Sequence, residues 1–292
     1  MSKRAEAGET LNRGGQEQTA GRLDGALSLY LQATEIDPTY ASAWYNAALI
    51  YKWRHEWASA LTCSIQAADH DSSNDASILW NLGIAASALG SWTHALRAWK
   101  GLGIPIETGD DGSPRLNIGV TPIRLLSADG SGEVVWADRF DPVRARILNI
   151  PTPESGHRWW DVVLHDAEPK GKRERDGQFL SVFNALERLV PSSAATWAVD
   201  LEAPAPEDVE ALVQTFHESD DHAQDWSDSL EIICKACSEG TPHEHSPAPA
   251  RVWTLKRSFG IATEAPGRAE EILSSWAQGA SGRRWADLRQ VL

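Results

Sequence analysis

Between residues 7 and 104 the apolar positions recur at helical spacing in three successive blocks, and small residues return with them. Ala26, Ala60 and Ala95 stand 34 and 35 residues apart. Each heads an Ala-x3 pattern that runs to Tyr30, Ser64 and Trp99 in turn, and Ala33 and Ala67 follow in the first two blocks. Trp44, Ala48 and Tyr51 precede the second alanine, while Leu79, Leu82 and Gly83 precede the third, and Pro38 closes the first block. Small side chains let helices cross closely, and large ones such as Trp44 and Trp99 fill the gaps between them. The pattern predicts pairs of antiparallel helices, none of which buries its apolar face without a neighbour.

The helical pattern stops near Leu102-Gly103-Ile104-Pro105, and Gly, Pro and Asp cluster over 107–114, which predicts a linker at 105–115. Alternation of period two then predicts strands over Leu116–Leu126, Glu133–Asp138, Arg144–Ile150 and Asp161–His165, separated by turn segments. Strands at this spacing suggest a small bent sheet or barrel within 116–190, with 170–177 as an exposed loop tip. From 195 to 292 the order reads strand, helix, strand, strand, helix. Thr196–Leu201 is the first strand, and Pro206 with Glu207 and Asp208 opens a helix through Phe216. Leu230–Cys234 and Arg251–Ala262 read as a hairpin, and Pro266–Gln278 as a second helix. This is an α+β arrangement like a split β-α-β unit.

The blocks of the first third resemble the tetratricopeptide repeat, whose signature is W-x2-L-G-x2-Y, then A-x3-F, then P, in a period of about 34. Thr10, Arg13 and Glu17 stand where the first unit should carry Trp, Leu and Tyr, as suits a terminal repeat that meets water. The resemblance implies an α-solenoid of three helix pairs over residues 1–104 and an interaction scaffold. By register it places Tyr45, Asn46, Leu49 and Trp53 of the second unit on the concave face, with Trp80, Asn81, Ile84 and Ala88 of the third. Asn12, Asn46 and Asn81 fall at equivalent positions. Family members that clamp a C-terminal carboxylate use basic groups there, and only Lys52 is nearby, so an extended or helical peptide fits better. The chain's own later segments are the other occupant this short groove could take.

Composition narrows the classes. The 292 residues are enough for two or three domains, with 42% hydrophobic and 23% charged residues, as in soluble globular proteins. No apolar run reaches the roughly 20 residues of a membrane span, the first residues lack a secretory signal's apolar stretch, and three cysteines do not make a disulfide framework. A reducing cytoplasm is the expectation. A net charge of −14 argues against a nucleic-acid partner. Residues 202–231 hold ten carboxylates and no Lys or Arg. Such a run reads as a solvated helix face, or as an acidic surface at Glu218, Asp220 and Asp221 that steers a basic partner.

One constellation could carry chemistry. Cys234-x2-Cys237 lets two thiolates reach one ion, and His243 and His245 follow beyond Gly240 and Pro242. Four such ligands suit a closed, structural zinc site, although the H-x-H spacing is shorter than in zinc fingers. The Ser-Glu-Gly-Thr-Pro after Cys237 breaks the helix a thioredoxin-like pair needs, and a deaminase would carry its His-x-Glu upstream. Ser155, His157, Asp161, His165 and Asp166 form a weaker polar group without a G-x-S-x-G elbow. Cys63 reads as a small core residue.

Together these features describe a non-enzymatic scaffold that binds another protein or peptide as adaptor, chaperone or inhibitor. An immunity-type protein that meets a basic partner through its acidic surface is one version. The alternative is an enzyme with its site near His157 and Asp161 in the β-rich part.

Overall fold

The computed structural model describes residues 2–127, 132–229, 253–265 and 267–292, which divide into two compact units. The first is Met1–Ile118 with Phe140–Arg144, and the second is Gly119–Arg139 with Ala145–Leu292.

Six helices make up most of the first unit: α1 (Lys3–Thr19), α2 (Leu23–Ile36), α3 (Ala41–Trp53), α4 (Trp57–His70), α5 (Ala76–Ala88) and α6 (Trp92–Gly101). Ser2 and Asp75 begin α1 and α5, each side chain accepting a hydrogen bond from a first-turn N–H. Consecutive helices pack on one another throughout. The turns inside the three pairs pass through Gly21, His55 and Gly90, all left-handed with φ of 76°, 58° and 64°. Glycine adopts this geometry without penalty, and His55 does not.

Between the members of each pair, a small residue on the first helix faces the residue sixteen positions on. The Tyr30 ring lies against Gly14, where a Cβ would stand 2.6 Å from it, and the Trp99 ring covers Gly83 in the same way. The middle pair carries Ala48 and Ser64 at these positions, both buried. The alanines of the repeat pattern, Ala26, Ala60 and Ala95, are fully buried as well.

The expected linker contains a short hairpin, β1 (Glu107–Thr108) with β2 (Pro114–Arg115). It is tied to residues 140–144 of the same unit. The fully buried Asp141 accepts from the N–H groups of Val143 and Arg144 and from the Arg144 guanidinium. Arg144 also donates to the Pro114 carbonyl at 3.1 Å and lies 4.4 Å over the Trp92 ring.

In the second unit, alternation of apolar and polar residues closes a five-stranded barrel. Its strands are β3 (Gly119–Leu126), β4 (Gly132–Arg139), β5 (Arg144–Ile147), β6 (Val162–His165) and β9 (Phe183–Val190), with β3 and β9 parallel at the closure. Ile123, Leu125, Val135, Ala137, Ala145, Ile147 and Val163 fill the interior. Residues 170–177 are no simple loop tip. They belong to a hairpin of β7 (Lys172–Arg175) and β8 (Gln178–Ser181), whose Asp176-Gly177 turn has both φ values positive, as the right-handed twist of paired strands requires.

The last segment runs β10 (Ala195–Glu202), α7 (Pro206–Glu218), β11 (His222–Asp225), α8 (Trp226–Ser229), β12 (Lys256–Thr263), α9 (Arg268–Gly279) and β13 (Arg284–Gln290). The sheet is antiparallel in the order β11-β12-β10-β13, the split β-α-β arrangement in its full β-α-β-β-α-β form. Val199, Leu201, Phe259 and Ile261 face Leu212 and Phe216 of α7 and Leu273 and Trp276 of α9. On the opposite face the Trp226 indole lies on Gly260 and donates to the Ile150 carbonyl at 3.0 Å.

Two strands here differ from the sequence expectation. The partner of β12 is His222–Asp225, a polar stretch inside the acidic run, whereas Leu230–Cys234 lies outside the described residues. The closing edge strand β13 was not foreseen, because Arg284-Trp-Ala-Asp-Leu-Arg-Gln290 has little apolar alternation. As an edge strand it needs only one partner and little burial.

Candidate functional site

The repeat register picks out positions on the first helix of each pair. On α3, Tyr45, Asn46 and Leu49 are half-buried and Trp53 is 48% exposed. Burial pushes the Tyr45 hydroxyl above its usual pKa, while a hydrogen bond to Ser77 at the start of α5 works against the shift. Lys52 is buried, so this face shows no exposed cation from α3.

The third unit is closed where the register expected a surface. Asn81 is 9% exposed and Ile84 is fully buried, and Trp80 packs edge-on against Trp99 with ring centres 5.2 Å apart. Asn81 donates to the Ser77 carbonyl at 2.8 Å, and its own carbonyl oxygen is buried with no hydrogen-bond partner among the described residues. The reason lies in α5 itself: Ile78, Leu79, Leu82, Ile84, Ala85 and Ala86 leave it no polar face, and such a helix is buried all round. The equivalent asparagines therefore form a gradient, with Asn12 exposed, Asn46 half-buried and Asn81 buried. The accessible inner face is that of α1 and α3.

Four of the ten carboxylates of the acidic run meet an arginine of the same chain. Asp208 pairs with Arg283 at 2.7 Å, Asp225 with Arg257 at 2.6 Å, Asp221 with Arg268 at 3.6 Å and Glu202 with Arg284 at 3.8 Å. Asp221 is 12% exposed at its side chain and does not stand with the open acids. Glu218 and Asp220 are exposed, together with Glu207 and Glu210 on the solvent side of α7. None of the partner arginines could be assigned from the sequence, because they arrive from β12, α9 and β13.

The weaker polar group does not converge. Asp161 is fully buried, and its carboxylate accepts from the Arg158 N–H at 2.9 Å, the Ser192 N–H at 2.7 Å and the Arg188 guanidinium at 3.4 Å. It ties the 158–161 turn to the residues that follow β9. His157 turns its Nδ1 to the Ser155 carbonyl at 2.9 Å. His165 lies in the barrel with Nδ1 2.7 Å from the Asp166 carbonyl, and burial, assisted by Arg139, pushes its pKa down to about 3. Cys63 is buried and its thiol is raised to about 11, so it is inert.

Cys234, Cys237, His243 and His245 lie outside the described residues. Among the described residues no three His, Cys, Asp or Glu side chains are grouped to hold a metal ion, and no helix is long and apolar enough to cross a membrane.

Comparison with known proteins bears on the helices. A family model for the TPR repeat matches residues 19–52, the stretch from the α1–α2 turn through α3. Among solved structures, the second TPR of Spaghetti (RPAP3), bound to the HSP90 peptide SRMEEVD, is similar at 20% identity. That match covers 34% of this chain and 91% of that one, with a TM-score of 0.31. YrrB, a TPR protein with an unusual peptide-binding site, is similar at 21% identity over 33% of this chain and 50% of that one, with a TM-score of 0.30. A search of curated proteins finds no match. The chain thus carries a TPR repeat at residues 19–52, within a region of six TPR-like helices, α1–α6.

Proposed function

We propose that the chain is a protein-interaction scaffold that takes a peptide segment of another protein along α1 and α3, with Tyr45, Asn46, Leu49 and Trp53 as its contacts. The carrying observation is the exposure of Trp53 on a face whose other positions are half-buried. A large exposed indole beside an amide and a tyrosine suits a segment with an apolar anchor and backbone groups to be hydrogen-bonded. The buried Asn81 and Ile84 shorten the site, so the ligand spans two helix pairs and not three.

Adaptor, chaperone and inhibitor roles all follow from such a face. An immunity-type role would use the exposed acids Glu207, Glu210, Glu218 and Asp220 against a basic partner. Photo-crosslinking separates the two. A photoreactive residue at Trp53 captures the partner in the first reading, and one at Glu210 captures it in the second. Capture at neither position would remove both.

The enzymatic alternative at His157 and Asp161 draws no support from a carboxylate already held by three donors. Zinc at Cys234, Cys237, His243 and His245 is a proposal that rests on the ligand types and their spacing. Elemental analysis of the purified chain should return about one equivalent, lost when both cysteines are changed to serine. A metal-free protein with freely titrating thiols would refute it.

A further inference from the structure

A cavity of about 520 Å³ lies on the side of the four-stranded sheet opposite α7 and α9, lined also by β4 and the 152–154 turn. Its volume is within the roughly 300–1,000 Å³ of small-molecule sites. Its lining includes the apolar Trp226, Ala198 and Val291. The walls carry charge of both signs: Glu133, Glu154 and Arg289.

Glu133 is fixed in place. The Thr152 N–H donates to both of its carboxylate oxygens, at 2.9 and 3.2 Å. Burial raises its pKa to about 7 and Glu154 adds to the shift, while Thr152 and Ser155, not a basic side chain, favour its charged form. Arg289 stands opposite Ala198 in the β10–β13 register, which aims it at this face. The one side-chain hydrogen bond it makes among the described residues goes to the Asp287 carbonyl at 3.2 Å, so most of its donor fork is available. A lone carboxylate entering here would meet two acids, and a lone amine would meet the arginine. A molecule with both charges satisfies each wall, and an apolar side chain can rest on the apolar part of the lining.

We propose that this cavity binds a small zwitterion of the amino-acid class, its ammonium on Glu133 and its carboxylate on Arg289. An arriving ammonium favours the ionised form of Glu133, and Glu154 supplies a second negative group for it.

The test is calorimetric titration of the full chain with the common L-amino acids one by one. n-Butylamine and butyrate serve as single-charge controls. At least one amino acid should bind, with affinity lower by roughly tenfold or more in Arg289→Ala and in Glu133→Gln, as loss of a charged hydrogen bond implies. Arg289 is exposed, so its variant leaves folding intact and keeps the test decisive where Glu133→Gln weakens the 152 turn. No binding by any amino acid would overturn the proposal. So would binding unchanged in Arg289→Ala, or a control that binds as tightly as the amino acid.

Discussion

A side chain on Gly83 would stand less than 3.0 Å from the ring atoms of Trp99, so the third helix pair closes because position 83 has none. Gly14 and Tyr30 repeat the relationship in the first pair, whereas the second carries two small residues, Ala48 and Ser64.

Gly83→Ala should destabilise the first unit by about 2–3 kcal/mol through overpacking, despite alanine's better helix propensity. In a Trp99→Ser background, which copies the middle pair, the same substitution should cost far less. Denaturant melts of the four proteins in this cycle check it. Additive effects would mean the two residues do not share the crossing.

His55 stands where the other two pairs carry glycine in a left-handed turn. His55→Gly should raise stability by about 0.5–1 kcal/mol, the strain of a non-glycine residue with positive φ being relieved. A drop in the melting temperature would show that contacts of the imidazole outweigh the strain.

Asp161→Ala should cost on the order of 3 kcal/mol, because it leaves the Arg158 and Ser192 N–H groups and the Arg188 guanidinium facing a void. A variant as stable as the wild type that loses a catalytic activity would instead restore the enzymatic reading.

The half-buried Glu133 and the buried His165 give opposing pH dependence. Glu133, raised to about 7 from 4.5, binds its proton more tightly when folded. Its stabilising contribution is complete below about pH 4.5 and is lost as pH rises through 7. His165, lowered to about 3 from 6.5, contributes above about pH 6.5 and loses that contribution as pH falls toward 3. Glu154 faces the first group, and Arg139 and Asp166 face the second. Relative to Glu133→Gln, the wild type should therefore lose about 2 kcal/mol between pH 5 and 8. Relative to His165→Phe, it should lose stability on acidification from pH 6.5 to 4. Parallel pH profiles for wild type and variant would refute the corresponding assignment.

The helices and four of the five barrel strands are legible because their signals are local, whereas β9 is not among the strands the sequence predicts. Ala26, Ala60 and Ala95 mark helix crossings within one repeat, and Ile123 and Leu125 alternate with Arg124 as a half-buried strand must. Asp176-Gly177 carried a hairpin signal that was read as a loop. His222–Asp225 and Arg284–Gln290 could not be read, since edge strands of polar composition show no alternation.

The sequence by itself determined the repeat, the period-two strands and the concentration of acid in 202–231, all properties of neighbouring residues. Tertiary structure alone decided which of those acids stay open. Asp208, Asp221 and Asp225 are met by arginines from elements that arrive later in the chain. It alone closed the third unit over Asn81 and Ile84, and set Glu133 and Arg289 on one cavity. Such encounters depend on how distant segments pack, and no local periodicity encodes the partner.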